Sequence, residues 1–511
     1  METVQFSAFD YNRDDTFSLS EYRLEGSEKD GWKIFRNKDL YLSLGKGYKL
    51  LKTKLCGICS TDLDRRFLPF ALPQIIGHEV LASDPITGKK FVLEINDTVA
   101  ARGEEGDPFC KRGLQTHSPT RQVLGIDRLP GGFGKFLLAP VGTLVEIGTL
   151  EDREAILLEP FAASLHGVEV SLENSSDKPN RIAVLGPRRL GSLLLAGLEV
   201  YRRRNNLDFK IVAILRRREL KDTSFGVGAD EVLVFPGLNT SSRGSLNKGE
   251  RYYKETPANA EEVSWNDLLD TFDIVFDTTG AIDGLELCMD LTCKEIHRKT
   301  TNGLGSLGIS NLTELVVDEL SILPLQKGFQ NLSWGVNSAL ETWVFLEDGI
   351  RLSNEEQDWI DTARKEGIRF YSGSIQEGES FLESQEFTGD LRRFDFTILK
   401  SASSVDLAIR PGAKEAPSLL RPRGFILIPV NSGLSESNPF INWVVRGGVL
   451  RSSRCGDFRR TLSFLGPEKG FLKNVSAYLL GEEFSASDLP KAYEEARKPT
   501  NIKVIVRHDP Y

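Results

Sequence analysis

The sequence lacks a long apolar run, and this absence argues against a membrane-spanning segment. None of its apolar stretches approaches the roughly twenty residues that a transmembrane helix needs. The N-terminus, M-E-T-V-Q-F-S-A-F-D-Y, has no basic region followed by an apolar one, so no signal peptide is expected. We therefore expect a cytoplasmic protein without a membrane partner.

The chain also lacks an excess of basic residues. It carries 64 Lys and Arg against 73 Asp and Glu, which gives a formal net charge of −9. A general nucleic-acid binder needs a basic face. This charge balance therefore predicts that nucleic acid is not a partner.

Cysteine is scarce as well. The six Cys residues are unevenly spaced along 511 residues, which is not the pattern of a disulfide framework. A reducing compartment is therefore expected. A chain of this length is too long for a single hydrophobic core, so we predict two or more domains.

What the sequence does contain is a concentration of chemically active residues between positions 54 and 80. A catalytic zinc takes thiolate, imidazole and carboxylate ligands, and a hydroxyl beside them can transfer a proton. Taken separately, the two short motifs of this stretch are more typical of a buried cysteine and a core histidine without metal. Their order and spacing favour a zinc site. The residues concerned are Cys59, Thr61, Asp62, His78 and Glu79.

The motif G-I-C-S-T-D followed by G-H-E resembles the catalytic-zinc signature of the zinc-dependent medium-chain dehydrogenase/reductase family. That family includes alcohol, polyol and threonine dehydrogenases. The resemblance implies one catalytic zinc bound by Cys59 and His78, with Glu79 as an exchangeable ligand. It also implies that Thr61 is the first hydroxyl of a proton relay, and we predict catalytic roles for Thr61 and its neighbour Asp62.

Two later features concern the same predicted metal chemistry. Glu159 heads a helical pattern and matches the L-E-P element of the family, whose acid reaches the zinc or its water; the alternative is a carboxylate favoured by the helix dipole. Many family members also hold a structural zinc with four closely spaced cysteines. The corresponding region here has only Cys110, and one thiol cannot complete a tetrahedral site, so we predict no structural zinc.

A dinucleotide-binding unit is predicted from position 181 onward. The runs I-A-V-L, G-P-R-R-L-G, S-L-L-L-A-G-L and K-I-V-A-I-L indicate a strand, a turn, a helix and a second strand. Gly186 and Gly191 stand at the outer glycine positions, but Arg188 occupies the middle one. Its side chain must either displace the nucleotide or turn outward and meet the phosphates. Thr279 and Gly280, after F-D-I-V-F-D, match the family's T-G at the end of a strand under the cofactor.

The end of the second strand distinguishes the two nicotinamide cofactors. An acid there binds the ribose of NAD, whereas an arginine accommodates the 2′-phosphate of NADP. Arg216 is followed by two further arginines, and the first acid is Glu219. We predict that NADP(H) is preferred; the alternative is a solvated basic turn.

The chain departs from a typical family member after position 324. In the family, a segment like L-T-E-L-V-V-D-E-L-S-I-L leads almost directly into one like S-S-R-C-G-D-F, but here over a hundred residues separate the two. They contain a helix pattern at 354–367 and strand patterns at 368–372 and 394–399. F-D-F-T-I-L-K-S-A and R-G-F-I-L-I-P-V-N-S-G echo earlier strands, which suggests a partial duplication; a chance likeness of β-α-β patterns is the alternative.

Together these features predict an α/β protein with a GroES-like β-barrel catalytic domain and a Rossmann doubly wound sheet that carries an inserted or partly duplicated α/β segment. The expected boundaries are 1–172 for the catalytic domain, completed by 459–511; 173–324 for the nucleotide domain; 325–420 for the insertion; and 421–458 for the return of the sheet.

The predicted function is hydride transfer between an alcohol or polyol, or its carbonyl product, and a nicotinamide cofactor. The resemblance further implies a homodimer or homotetramer. Two alternatives remain open at this point. One is a pseudoenzyme or assembly protein that kept the fold, and the other is a zinc-dependent lyase or hydrolase.

Overall fold

The computed structural model describes residues 2–173, 178–235, 252–300, 305–331, 341–410, 418–435, 437–468 and 470–508. The chain folds into two units. The first comprises Met1–Leu165, Arg188–Val200 and Cys455–Tyr511, and the second comprises His166–Pro187 and Tyr201–Arg454. Within the described ranges, no helix combines the length and the apolar character needed to cross a membrane.

Short strands dominate the first 150 residues, as the alternating apolar pattern predicts, and further strands follow up to position 507. In chain order the strands are β1 Glu2–Tyr11, β2 Phe17–Ser27, β3 Gly31–Arg36, β4 Asp39–Leu44, β5 Tyr48–Gly57, β6 Glu79–Ser83, β7 Lys90–Leu93, β8 Asn96–Asp97, β9 Gln122–Val123, β10 Phe136–Pro140, β11 Leu144–Glu146, β12 Arg181–Leu185, β13 Lys210–Leu215, β14 Glu231–Val234, β15 Tyr252–Glu255, β16 Ala260–Val263, β17 Ile274–Asp277, β18 Glu295–Arg298, β19 Ser321–Pro324, β20 Trp343–Glu347, β21 Arg369–Gly373, β22 Phe394–Ile398, β23 Leu420–Ile428, β24 Val449–Ser452, β25 Leu480–Ser485 and β26 Lys503–Arg507.

Helices become frequent after position 150, where they alternate with strands. They are α1 Ser60–Leu63, α2 Pro108–Lys111, α3 Asp152–Ala155, α4 Leu158–Glu173, α5 Arg189–Arg204, α6 Lys221–Gly226, α7 Ile282–Leu291, α8 Leu312–Val317, α9 Leu325–Asn331, α10 Asn354–Lys365, α11 Ile375–Leu382, α12 Ala402–Ile409, α13 Ser432–Ser435, α14 Pro439–Val445, α15 Phe458–Leu465, α16 Phe471–Leu479 and α17 Leu489–Arg497.

The first unit is built mainly from antiparallel sheet. β1 to β4 form a four-stranded sheet in chain order, and a seven-stranded sheet follows the order β11-β7-β6-β5-β26-β25, with β10 also paired to β5. One hydrophobic cluster joins these strands to the closing helix α17; it includes Tyr11, Leu51, Cys56 and Tyr493. The last strand, β26, lies beside β5 in the seven-stranded sheet, whereas β1 to β4 form a sheet of their own.

The centre of the seven-stranded sheet brings three distant chain segments together. β5 lies between β6 and β26, and Gly57 is paired with Glu79 on one side and with Ile505 on the other. Because β5 ends at Gly57, the residues that follow it leave the sheet beside the start of β6. This register positions the two predicted metal-binding motifs next to each other.

The second unit contains a thirteen-stranded sheet in the order β16-β15-β14-β13-β12-β17-β18-β24-β19-β23-β22-β20-β21. From β14 to β24 all neighbouring strands are parallel. Their short apolar runs, such as I-V-F-D in β17, are buried throughout, as expected when helices cover both faces of a parallel sheet.

A change of direction divides this sheet between β24 and β19. These two strands are antiparallel, with Ile322 opposite Leu450, and β19, β23, β22, β20 and β21 form a second parallel group. β19 follows β18 in the chain but pairs within the second group, whereas β24 follows β23 but pairs with β18. The two groups therefore exchange one strand each.

The segment predicted as an insertion, 325–420, contributes strands to this same sheet. Its predicted helix at 354–367 is present as α10, and its predicted strands at 368–372 and 394–399 correspond to β21 and β22 within one or two residues. Ser353 caps α10 by accepting a hydrogen bond from Glu356 N at 3.2 Å, which explains where the helix begins.

Candidate metal centre and nucleotide-binding turns

The loop after β5 holds Cys59 at the N-terminus of the short helix α1. The Cys59 amide donates a 2.8 Å hydrogen bond to Oδ2 of Asp62, which fixes the first turn as an N-terminal cap does. Thr61 lies on the same turn, and its Oγ1 accepts a contact from the Cys59 thiol at 3.8 Å. Thiol, hydroxyl and carboxylate are thus fixed by four consecutive residues.

Asp62 also contacts the second motif. Its Oδ1 lies 3.3 Å from Nδ1 of His78, and both side chains are buried. Burial lowers the pKa of His78, but the Asp62 carboxylate outweighs that effect, so the pKa is raised well above its ordinary value. A carboxylate at Nδ1 orients the ring and leaves Nε2 as the nitrogen for a metal.

Cys59, His78 and Glu79 together satisfy the requirements of a zinc site. One ligand atom from each lies within 4.8 Å of the other two. Glu79 is fully buried, and its Oε1 has no hydrogen-bond partner among the residues that the structure describes. A buried unpaired carboxylate oxygen is costly unless a cation satisfies it, so thiolate, imidazole and carboxylate form a donor set suited to zinc.

The other carboxylate oxygen of Glu79 has a partner that the motifs do not predict. Lys503, near the start of β26, forms an ion pair with Glu79 Oε2. Burial lowers the pKa of Lys503, but the charges of Glu79, Cys59 and Glu159 together outweigh this, and the pKa is raised. The pair crosses Gly57, where a Cβ atom would lie 2.2 Å from Glu79 Oε2 and 3.0 Å from Lys503 Cε. Glycine is therefore needed at this position.

Glu159 lies close enough to this group to interact with its charges. It stands in the first turn of α4 and is only 8% exposed. Burial raises its pKa to about 7, with a contribution from Glu79, while His78 and Lys503 act in the opposite direction. Its oxygens are not within the 4.8 Å cluster formed by Cys59, His78 and Glu79.

Gly186, Thr279 and Gly280 lie at the carboxyl ends of the adjacent strands β12 and β17. Gly186 has a φ of +77° and Gly280 a φ of +66°, the left-handed region that favours glycine. A Cβ atom on Gly186 would lie 2.7 Å from Thr279 Cγ2. Thr279 is fixed in turn by a 2.7 Å hydrogen bond from its hydroxyl to Asp277. These residues form one edge of the parallel sheet, where such folds bind ligands.

Arg188 belongs to the first unit, and its side chain reaches the end of the chain. Its guanidinium donates to the carbonyl of Lys498 at 2.7 Å and to that of Asn501 at 3.1 Å. Gly191 lies buried in the first turn of α5. The sequence left open whether the Arg188 side chain displaces the nucleotide or turns outward to meet its phosphates. In the structure its guanidinium donates to these two backbone carbonyls.

Arg216 is exposed directly after β13, next to the β12 end that carries Gly186. An acid that lies far away in the sequence contacts the basic turn that begins at Arg216. Glu255, at the end of β15, is buried and forms ion pairs with Arg218 at 2.9 Å and Lys221 at 3.0 Å. The basic turn is therefore partly neutralised by a strand some forty positions later.

Sequence reasoning missed three residues that contribute to these sites: Arg189, Glu255 and Lys503. Only Lys503 had a visible signal, because a lysine interrupts the apolar closing strand N-I-K-V-I-V. A charged residue inside an apolar strand requires a buried partner. Which partner it finds depends on strand pairing.

No family model matches the chain. Among curated proteins it is 31% identical to L-galactonate-5-dehydrogenase of Escherichia coli (strain K12) over 133 residues, which is 24% of this chain and 38% of that protein. It is 28% identical to D-altritol 5-dehydrogenase of Agrobacterium fabrum over 169 residues, which is 30% of this chain and 48% of that protein. The chain thus matches less than half the length of either relative.

Among solved structures, the chain resembles Haloferax mediterranei glucose dehydrogenase in complex with NADP, Zn and gluconolactone. The TM-score is 0.50 at 12% sequence identity, and the alignment covers 99% of this chain and 100% of the other. At this identity the likeness concerns the fold alone. The chain is thus similar over part of its length to these two dehydrogenases, and it shares its fold with a dehydrogenase whose structure contains NADP and Zn.

Proposed function

We propose that this relative of the zinc-dependent medium-chain dehydrogenases transfers a hydride between an alcohol or polyol and a nicotinamide cofactor. The observation that carries the proposal is the convergence of Cys59, His78 and Glu79 within 4.8 Å. A pseudoenzyme would have no need for an oriented donor set, and Asp62 and Lys503 both support this set from outside it.

One zinc ion would be held by Cys59, by Nε2 of His78 and by a carboxylate. Glu79 and Glu159 are the two candidates for that carboxylate. Lys503 pairs with Oε2 of Glu79 and leaves Oε1 for the ion; Glu159 is the alternative. When bound, zinc supplies Lewis-acid chemistry that lowers the pKa of a substrate hydroxyl.

The chain's own residues would then manage the proton. Thr61, fixed beside Cys59 on α1, is suited to accept the proton of the substrate hydroxyl and pass it on. Asp62 has a different role in this proposal from the catalytic one that the motif predicted. It orients His78 and the Cys59 amide, and it is therefore a positioning residue.

For the cofactor, we propose that the nucleotide lies along the edge formed by Gly186, Thr279 and Gly280, with Arg216 next to the adenosine ribose. The exposed arginine after β13 supports a preference for NADP(H). Because Arg216 directly follows β13, the position that distinguishes the two nucleotides, it is the residue to test.

The finer architecture follows the same proposal. We infer that 1–172 with 459–511 form the GroES-like catalytic domain, and that 173–324 and 421–458 form the Rossmann domain. The second parallel group in the sheet supports a partial duplication that includes 325–420. A homo-oligomer stays a prediction from the family resemblance.

The names of the curated relatives direct the substrate tests toward secondary hydroxyls of sugar acids and polyols. The experiment is a turnover assay of the zinc-loaded protein with NADP⁺ and NAD⁺ against such a panel. Reduction of nicotinamide that requires both zinc and a polyol would support the proposal. A protein that binds zinc but converts none of the panel, with either nucleotide, would contradict it.

A further inference from the structure

Arg189 connects the first turn of α5 to the loop that carries Cys59. Its Nη1 donates a 3.1 Å hydrogen bond to Oγ of Ser60, the residue immediately after Cys59. Arg189 follows Arg188 in the sequence G-P-R-R-L-G, within the turn predicted to bind the nucleotide. Arg189 therefore lies in the turn predicted to bind the nucleotide, and its guanidinium contacts Ser60, the residue next to the predicted zinc ligand Cys59.

The other nitrogens of Arg189 bind the final segment of the chain. Nε donates to the carbonyl of Ile502 at 3.1 Å, and Nη2 donates to the carbonyl of Ala496. Ile502 directly precedes Lys503, which pairs with Glu79. One planar group thus contacts both Ser60, next to Cys59, and Ile502, next to the lysine that pairs with Glu79.

The charge of Arg189 also acts on the metal cluster. Burial lowers the pKa of Arg189, and Cys59 and then Glu79 exert the strongest opposing effects. A guanidinium is planar and presents donors in a fixed fork. It can therefore hold the Ser60 hydroxyl and the Ile502 carbonyl at a defined separation, which a flexible lysine cannot do.

We propose that Arg189 is a positioning residue of the metal centre, setting the Cys59 loop and the Lys503 strand at the spacing that zinc requires. The inference rests on the proposed function for the presence of zinc, but not for any reaction. Residues that orient metal ligands from outside typically change metal affinity by about 10–100-fold when they are removed. The same range is expected for Arg189.

The test measures the release of zinc to a chelator and the absorption spectrum of the protein reconstituted with Co²⁺. Arg189→Met should release zinc at least about tenfold faster and shift the thiolate-to-cobalt band, because Cys59 would be held differently. Arg189→Lys should recover only part of the change. Arg188→Met is the matched control, since Arg188 anchors the same final segment through Lys498 and Asn501.

A double-mutant cycle with Ser60→Ala distinguishes positioning from a general loss of stability. If Arg189 acts through Ser60, the two substitutions should be non-additive in zinc release, and Ser60→Ala alone should shift the cobalt band without lowering the melting temperature appreciably. Strict additivity, or an equal effect of Arg188→Met, would overturn the inference. If Arg189→Met releases zinc at the rate of the unmodified protein, the inference about Arg189 is wrong but the proposed function is not affected. If the unmodified protein binds no metal, both are wrong.

Discussion

Lys503 and Glu79 form a buried ion pair across Gly57, and this pair links the last strand of the chain to the second metal-binding motif. The lysine is 5% exposed and the glutamate is fully buried. A buried charge that loses its partner is strongly destabilising. The pair therefore couples the stability of the first unit to the state of its metal centre.

Replacing this lysine should expose that coupling. Lys503→Met leaves Glu79 buried without a cation, and the expected loss in the free energy of unfolding is about 3–5 kcal/mol in the absence of metal. Zinc should restore part of it, because Glu79 can then bind the ion. Urea unfolding with and without zinc measures both quantities, and Lys503→Arg is the control that retains the charge. Equal stability of Lys503→Met and the unmodified protein without zinc would show that the pair contributes nothing.

Asp62 should matter for metal affinity more than for folding. Asp62→Asn can still accept the hydrogen bond from the Cys59 amide, but it no longer presents a charged oxygen to Nδ1 of His78. We expect zinc affinity to fall by about 10–100-fold, measured by competition with a chromophoric chelator. Asp84→Asn is the control, since Asp84 pairs with Lys49 in the same unit. Unchanged zinc affinity in Asp62→Asn would remove Asp62 from the centre.

Thr61 should affect turnover without affecting binding. Thr61→Ala removes the hydroxyl next to Cys59 but no metal ligand, so zinc content and nucleotide affinity should be retained. Turnover should fall by roughly a factor of a hundred or more, as for the loss of a proton-transfer group. Thr61→Ser keeps the hydroxyl and should recover most of the rate. Full activity of Thr61→Ala would exclude the relay.

Arg216 should discriminate between the two cofactors. A charge-assisted contact to the 2′-phosphate contributes roughly 1.5–3 kcal/mol, which corresponds to about a tenfold to hundredfold change in affinity. Arg216→Ala should weaken NADPH binding by that factor and leave NADH nearly unchanged in a fluorescence titration. An equal loss for both nucleotides would contradict the preference for NADP(H).

The metal cluster could be predicted from sequence because its ligands lie in two short motifs joined by one register. G-I-C-S-T-D ends β5 and G-H-E begins β6, and antiparallel pairing brings Cys59 and Glu79 together. Lys503 and Glu255 were not predictable in the same way. Each reaches its partners through strand pairing over long sequence distances, which residue patterns do not specify.

The sequence also could not predict in which direction an individual side chain points. Arg188 and Arg189 are adjacent in the same turn, yet the first contacts Lys498 and Asn501 while the second also reaches Ser60. The exchange of β19 and β24 had no local signal either. Both strands have the short apolar pattern of a buried strand, and this pattern does not specify which strand each of them pairs with.

The second parallel group bears on how many nucleotides one chain can bind. Its connections diverge between β20 and β22, the kind of position where doubly wound sheets bind ligands. There Glu347 accepts hydrogen bonds from Lys400 N at 3.0 Å and Ser404 Oγ at 2.8 Å. At the start of α10, Glu356 accepts from Ser353 N and Val430 N, each at 2.8 Å. Glu347 and Glu356 thus place two hydrogen-bonded carboxylates in the second parallel group.

Calorimetric titration of the zinc-loaded protein with NADPH, and then with NADH, tests the central claim most directly. We predict saturable binding of about one nucleotide per chain, tighter for NADPH, because the proposed site lies at the Gly186 edge, whereas the carboxylate of Glu347 would repel a phosphate in the second parallel group. Two nucleotides per chain would contradict the assignment of a single site. No binding of either nucleotide by a protein that holds its zinc would contradict the dehydrogenase itself.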